Sequence, residues 1–171
     1  MNKKKKSEEV GEFAAAGVIR EDAPLRHPPF RPSAIIPPPS AIQTLRHLKD
    51  FEDMQVWQDA QDLAVAVYED MRIVKDFSFV DQIKRAAVSI SNNVAEGAER
   101  VTPSEFARFL DIAKGSVGEV RSMYRLACRL KFVNSDAATS RCEACKSISR
   151  QLGGFAKHLR AASRQSRMEN K

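Results

Sequence analysis

The stretch Thr102-Pro103-Ser104-Glu105-Phe106-Ala107-Arg108-Phe109-Leu110, continuing to Leu130, decides the fold. Thr102 is a good helix N-cap, and Pro103 suits the first helical position, where its missing N–H is no loss. Glu105 lies three residues past the cap and completes a capping box. Beyond it Phe106, Phe109, Leu110, Ala113, Val117, Val120, Tyr124 and Ala127 recur at helical spacing. That period belongs to a long amphipathic helix with one buried face.

The same period extends outward from this helix. Upstream, residues 79–98 carry Phe79, Ile83, Ala86, Ala87, Ile90 and Val94, and Gly97 suits a C-terminal stop. Residues 51–74 place Met54, Trp57, Ala60, Ala64, Val67 and Met71 on one arc. Their acids Glu52, Asp59, Asp62, Glu69 and Asp70 are expected on the opposite, solvated arc. Downstream, a fourth helix is predicted from near Ser135 through Ala138, Cys142, Cys145, Leu152, Phe155 and Leu159. Short connections make consecutive helices antiparallel. The expected fold is therefore all-α: an antiparallel up-down-up-down four-helix bundle over residues 50–163, followed by a basic C-terminal tail at 164–171.

Seven of the eight prolines lie between Pro24 and Pro39, including the run Pro37-Pro38-Pro39. That stretch has neither strand nor helix period. Residues 1–49 accordingly read as a disordered, basic, Pro-rich N-terminal extension. Such a segment suits nucleic acid or a proline-reading partner, or stays solvated.

Composition narrows the function. Seven glycines among 171 residues are too few for an architecture of many tight turns. Three cysteines, Cys128, Cys142 and Cys145, do not make a disulfide scaffold. No apolar run approaches the length of a membrane span. Lys3 to Lys6 precede the short apolar run Phe13–Ile19, but Glu8, Glu9, Glu12 and Arg20-Glu21-Asp22 break a secretory pattern, so a cytoplasmic location is expected. There is no Glu-x-x-His pair and no Gly-rich phosphate loop. His27 and His47 fall in the extension, and His158 stands alone on the fourth helix, read as a surface residue. Cys142-x-x-Cys145 has redox or half-zinc spacing, yet it lies on the apolar side of its helix with no preceding strand and reads as core packing. Neither catalysis nor a metal or other cofactor is expected.

Charge placement is more informative. The net charge of +6 divides into +3 for residues 1–50, −6 for 51–99 and +9 for 100–171. On the fourth helix Lys146, Arg150, Lys157, Arg160 and Arg164 fall within about 80° at ~100° per residue. Lys114, Arg121, Arg125 and Arg129 occupy a similar arc on the third. Two basic rails on consecutive helices suit the backbone of RNA or DNA, because each phosphate contact releases counterions. With few aromatics nearby, base stacking is weakly supported. The competing reading is a solvated face that pairs with the acids of the first helix.

Ser89, Ser91, Asn92 and Asn93 on helix two, with Gly115, Ser116 and Gly118 on helix three, lower helix propensity and suit close approach or polar contacts across a seam. Gly153-Gly154 suits a bend or close crossing in helix four. Ile112, Val117 and Met123 do not share one narrow stripe, which points to packing between subunits.

Three blocks then stand out together. They are Phe51-Glu52-Asp53-Met54-Gln55-Val56-Trp57 with Ala60; Arg85-Ala86-Ala87-Val88-Ser89-Ile90 with Asn93-Val94-Ala95-Glu96-Gly97; and Glu105-Phe106-Ala107-Arg108-Phe109-Leu110 with Ile112-Ala113 and Gly115-Ser116. In order and spacing, over about residues 51–162, the chain resembles the bacterial four-helix bundle proteins encoded by intervening sequences of 23S ribosomal RNA genes. The resemblance implies a ring-like homopentamer without attributed catalysis. That family is similar to the accessory variability protein of diversity-generating retroelements, a basic pentameric barrel that associates with a reverse transcriptase and its RNA. Carried over, this makes the two rails a nucleic-acid surface, with a structural adaptor for a protein such as a reverse transcriptase as the alternative. Asn93 and Glu96 match the motif and are read as making a polar inter-helix or subunit contact, with Arg85 as a partner of Glu96 across helices or subunits rather than within helix two. Where many relatives have proline then serine, this chain has Ser91-Asn92, so helix two is expected to run straighter.

Overall fold

The structure, a computed structural model, describes residues 50–169. The basic, Pro-rich extension expected at 1–49 lies outside the described residues. A short 3₁₀ turn, Phe51–Asp53, leads into four helices: α1 (Gln55–Asp70), α2 (Phe77–Ala98), α3 (Pro103–Arg129) and α4 (Ser135–Glu169). Successive helices run antiparallel and make a four-helix bundle, with no strand among the described residues. The region expected to begin a tail at 164 continues α4 as far as Glu169.

The ends of the helices follow from local chemistry. Thr102 Oγ1 accepts from Glu105 N at 3.2 Å, so the N-cap of α3 is made, and the Glu105 carboxylate folds back to accept from the Thr102 hydroxyl at 2.6 Å. Asp76 caps α2 by accepting from Phe79 N, which starts that helix at Phe77 rather than Phe79. Asn134 caps α4 by accepting from Ala137 N. Met71 closes α1 earlier than the apolar pattern predicts, leaving Arg72, Ile73 and Val74 to the turn.

The core stripes fill the bundle. Ala60, Val67, Ile83, Ile90, Val94, Leu110, Val117, Val120, Tyr124, Ile148, Leu152 and Leu159 are enclosed. Phe106 meets Phe155 edge to face at 5.0 Å between ring centroids, joining α3 to α4. Gly97 does not stop α2, which continues to Ala98. A Cβ there would lie 2.6 Å from Phe106 Cδ2 and 2.8 Å from Phe109 Cβ, so glycine is needed for close approach of α2 and α3.

One expectation fails on α1. Asp59 is only 4% exposed, and Asp70 is half-buried, rather than both lying on a solvated arc. Asp59, Leu63, Ala66 and Asp70 form a second stripe that α4 covers, and the donors come with it. Gln55 and Gln151 amides donate to Asp59 at 2.8 and 2.7 Å. Asp70 accepts from Tyr124 at 2.8 Å and from Arg141 Nε at 2.9 Å. These bonds satisfy buried carboxylates that would otherwise oppose folding.

Candidate nucleic-acid interface

Helices α3 and α4 form the most extensive pairing in the bundle. Their register is marked by three contacts: Asp111 pairs with Arg160, Lys114 reaches over Gly153, and Cys142 Sγ lies 3.9 Å from the carbonyl oxygen of Arg121. This alignment brings Lys114, Arg121 and Arg125 alongside Lys146, Arg150, Lys157 and Arg160 on the outside of the bundle, and Arg129 and Arg164 extend the two rails beyond this overlap. All nine are exposed except Lys146, which is half-buried.

Their pairing is sparse. Lys146 donates to Glu143 at 2.6 Å, and Arg160 is held by Asp111. The other seven, Lys114, Arg121, Arg125, Arg129, Arg150, Lys157 and Arg164, form no ion pair among the described residues. Glu143 registers how closely the rails converge. Its carboxyl is held below the ordinary range by the hydrogen bond and charge of Lys146, then by Arg150 from α4 and Arg125 from α3. Of the acids of α1, Asp59 and Asp70 are engaged inside the bundle rather than at this face.

Each rail is interrupted by glycine along its own helix. Gly118 lies between Lys114 and Arg121 on α3, and Gly153 between Arg150 and Lys157 on α4. A Cβ at Gly118 or Gly154 would meet nothing within 4 Å, and one at Gly153 would meet only the Lys114 side chain. The glycine pair in α4 does not mark a close crossing, because a Cβ at either position would meet no backbone of another helix within 4 Å, and α4 is continuous through it. Gly118 and Gly154 thus leave open space above the helix surface, while the Lys114 side chain covers Gly153.

On the α2–α3 side the expected polar seam is present. Ser89 and Ser116 hydroxyls share a 3.0 Å hydrogen bond, and Gln82 donates to Glu119 at 3.1 Å. Arg85 and Glu96 do not pair with each other within the chain. Arg85 takes Asp81 and Glu96 takes Arg100, each one helical turn away. Asn93 donates to the Ser89 carbonyl at 2.7 Å and to its hydroxyl at 3.0 Å, within α2. Ser91 is buried, accepts from Gln61 and donates to the Val88 carbonyl, so α2 passes this point without interruption. Of the residues read as spreading around α3, Val117 and Met123 are core, while Ile112 is exposed.

Cys142 and Cys145 are buried free thiols, and burial pushes Cys145 up to about 12, with the neighbouring Cys142 adding to it. A thiol so placed stays protonated at neutral pH and is a poor nucleophile. His158 is half-buried rather than on the surface, and its Nε2 is enclosed without a hydrogen-bond partner among the described residues. Among the described residues no group of three or more His, Cys, Asp or Glu side chains is placed to hold a metal. No helix among them is long and apolar enough to cross a membrane.

Fold and site together define a four-helix bundle with a cationic outer face on its last two helices. The chain belongs to the 23S rRNA-intervening sequence protein family, whose model matches residues 52–154. The match ends inside α4, so Lys157, Arg160 and Arg164 lie beyond it. A crystal structure of a protein of unknown function from the S23 ribosomal protein family of Bacteroides thetaiotaomicron is similar, with a TM-score of 0.57 and 23% identity. That similarity covers 60% of this chain and 98% of the other, and it is a likeness of fold. No functionally curated protein matches.

Proposed function

We propose that this protein is a non-enzymatic, self-associating bundle of the cytoplasm that binds nucleic-acid backbone, RNA above all, through the α3–α4 face. The observation that carries this reading is the pair of rails on which seven cations stand without an ion-pair partner among the described residues. Side chains so placed gain little from internal pairing and are available for phosphates, whose neutralisation releases counterions. The open space above Gly118 and Gly154 on the same two helices leaves room for a strand. The family's description, which names 23S rRNA, favours RNA over DNA. Assembly into a homopentamer, implied by the family resemblance, would repeat the face and multiply its field.

The test is a titration of the full-length protein with RNA at several salt concentrations. Binding that weakens steeply with salt is expected. Arg150→Glu with Lys157→Glu should flatten the log–log slope by about 0.7–0.9 for each phosphate no longer neutralised. Absence of binding at low salt, or an unchanged slope in the double variant, rejects the reading. Light scattering on the same sample measures the assembly against the 19.1 kDa chain.

A second reading is an adaptor for a protein partner such as a reverse transcriptase. It is favoured by Ile73 and Phe77, which are 80% and 82% exposed, and by the half-exposed Leu126 on α3 and Leu130 at its C-cap. Co-purification with a protein and no nucleic acid would support it.

A further inference from the structure

On the side of the bundle away from the cationic seam, α1 and α2 leave a shallow, open groove of about 430 Å³. Ala64, Val65, Tyr68 and Val88 form its apolar wall, and Gln61 and Arg72 supply polar groups. Val65 and Tyr68 are 43% and 49% exposed, so apolar and aromatic surface is left uncovered here. Lys84 lies over the Tyr68 ring at 4.6 Å and steadies it against the groove.

We propose that this groove receives the chain's own segment Ile35-Ile36-Pro37-Pro38-Pro39. Three observations select that occupant over others. The first is chemistry: consecutive prolines favour the polyproline II backbone, which docks on aromatic-lined apolar surfaces at low ordering cost. The second is reach. Ten residues separate Pro39 from Asp50 and span up to about 35 Å when extended. The path along α1 from Asp50 to Val65 is about 23 Å. The third is charge. Residues 24–49 carry Arg26, Arg31, Arg46 and Lys49 and no acid. The path along α1 passes the exposed acids Glu52, Asp53 and Asp62. The docked segment would place its cations over the acidic half of the bundle and leave the α3–α4 face open.

The test uses the full chain with a nitroxide at position 40 (Ser40→Cys, with Cys128→Ser to keep labelling single) and isotope-labelled valine methyls. Val65 and Val88 signals should lose most of their intensity. They should recover when Pro37, Pro38 and Pro39 are replaced by serine, and Val88 should recover in Val65→Glu, a change at an exposed site. No loss at either valine overturns the proposal, as does loss that persists in the serine variant. Equal loss on methyl-labelled chains that carry no nitroxide, when these are mixed with nitroxide-bearing chains, overturns it too, by assigning the groove to another copy.

Discussion

The phenol of Tyr124 on α3 donates a 2.8 Å hydrogen bond to Asp70 at the end of α1, and the same carboxylate receives Arg141 of α4. Three helices thus meet on one half-buried anion. Removing the hydroxyl leaves the carboxylate with one fewer donor, and hydrogen bonds to charged groups contribute about 1.5–3 kcal/mol. Tyr124→Phe should lower the urea midpoint by that amount of stability with little change in m value. Asp70→Ala should cost more, because the phenol and the guanidinium both lose their acceptor. Equal midpoints for Tyr124→Phe and the parent would show that this bond contributes nothing net.

Two glycines should respond to alanine in opposite directions. At Gly97 the added Cβ would sit 2.6 Å from Phe106 and 2.8 Å from Phe109, so α2 and α3 must separate. Overpacking of this kind costs about 1–3 kcal/mol. At Gly118 the added Cβ would meet nothing within 4 Å, and alanine should gain about 0.8–1.0 kcal/mol from helix propensity. Chemical denaturation of Gly97→Ala and Gly118→Ala checks both signs.

The contrast shows what was legible in the sequence. Periodicity and the Thr102-Pro103-Ser104-Glu105 start disclosed four helices because those signals act within one turn. Asp59 misled, since its own charge suggested solvent while its i+4 and i+7 neighbours, Leu63 and Ala66, marked a second buried stripe. Gln151, which satisfies it, lies 92 residues away, beyond any local pattern. The start of α2 was readable in Asp76 but was masked by the stronger apolar signal at Phe79. For the candidate face, phase on each helix showed the two rails. Their register, which brings Arg125 and Arg150 to one carboxylate, comes only from the packing of α3 on α4.

The end of α3 offers a direct gain in stability. Lys131 has φ 60°, a left-handed conformation that side chains with a Cβ disfavour. Its N–H reaches the Cys128 carbonyl at 3.1 Å and the next N–H, of Phe132, reaches Ala127 at 2.9 Å, the paired bonds of a Schellman ending. Phe132 is then delivered to Phe79 at 5.3 Å. Glycine fits this position without strain. Lys131→Gly should raise the denaturation midpoint by about 0.5–1 kcal/mol of stability, and a fall would show that the lysine side chain contributes an interaction of its own.

Alkaline conditions should weaken the bundle. Burial pushes the Cys145 thiol up to about 12, and raises Tyr124 as well, with the charge and hydrogen bond of Asp70 adding to the effect. The unfolded chain then loses these protons at lower pH than the native state does. The stabilisation is complete below about pH 8.5, the ordinary cysteine value, and declines as pH climbs toward 12. Urea midpoints measured between about pH 7 and pH 10.5 should fall, and Cys145→Ala should fall less steeply than the parent. An identical slope in that variant would assign the loss to other groups.

Glu143 gives the sharpest handle on the binding face, and its effect rests on the proposed function. It is an exposed carboxylate bonded to Lys146 at 2.6 Å, with Arg150 and Arg125 acting on it from either helix. A phosphate entering the seam must displace that carboxylate or bind beside it, so Glu143 opposes the polyanion both as a competitor and as a like charge. Glu143→Gln frees Lys146 and removes the repulsion while keeping the side chain's size. Affinity for RNA at low salt should rise, and the dependence on salt should steepen as Lys146 takes a phosphate. Arg125→Glu should do the reverse, lowering affinity and flattening the slope. Because Glu143 is exposed and its ion pair lies on the surface, thermal stability should hardly move in the glutamine variant. Filter binding at three or more salt concentrations separates the outcomes. A glutamine variant that binds no better than the parent would place the nucleic acid away from the Arg125–Lys146–Arg150 cluster.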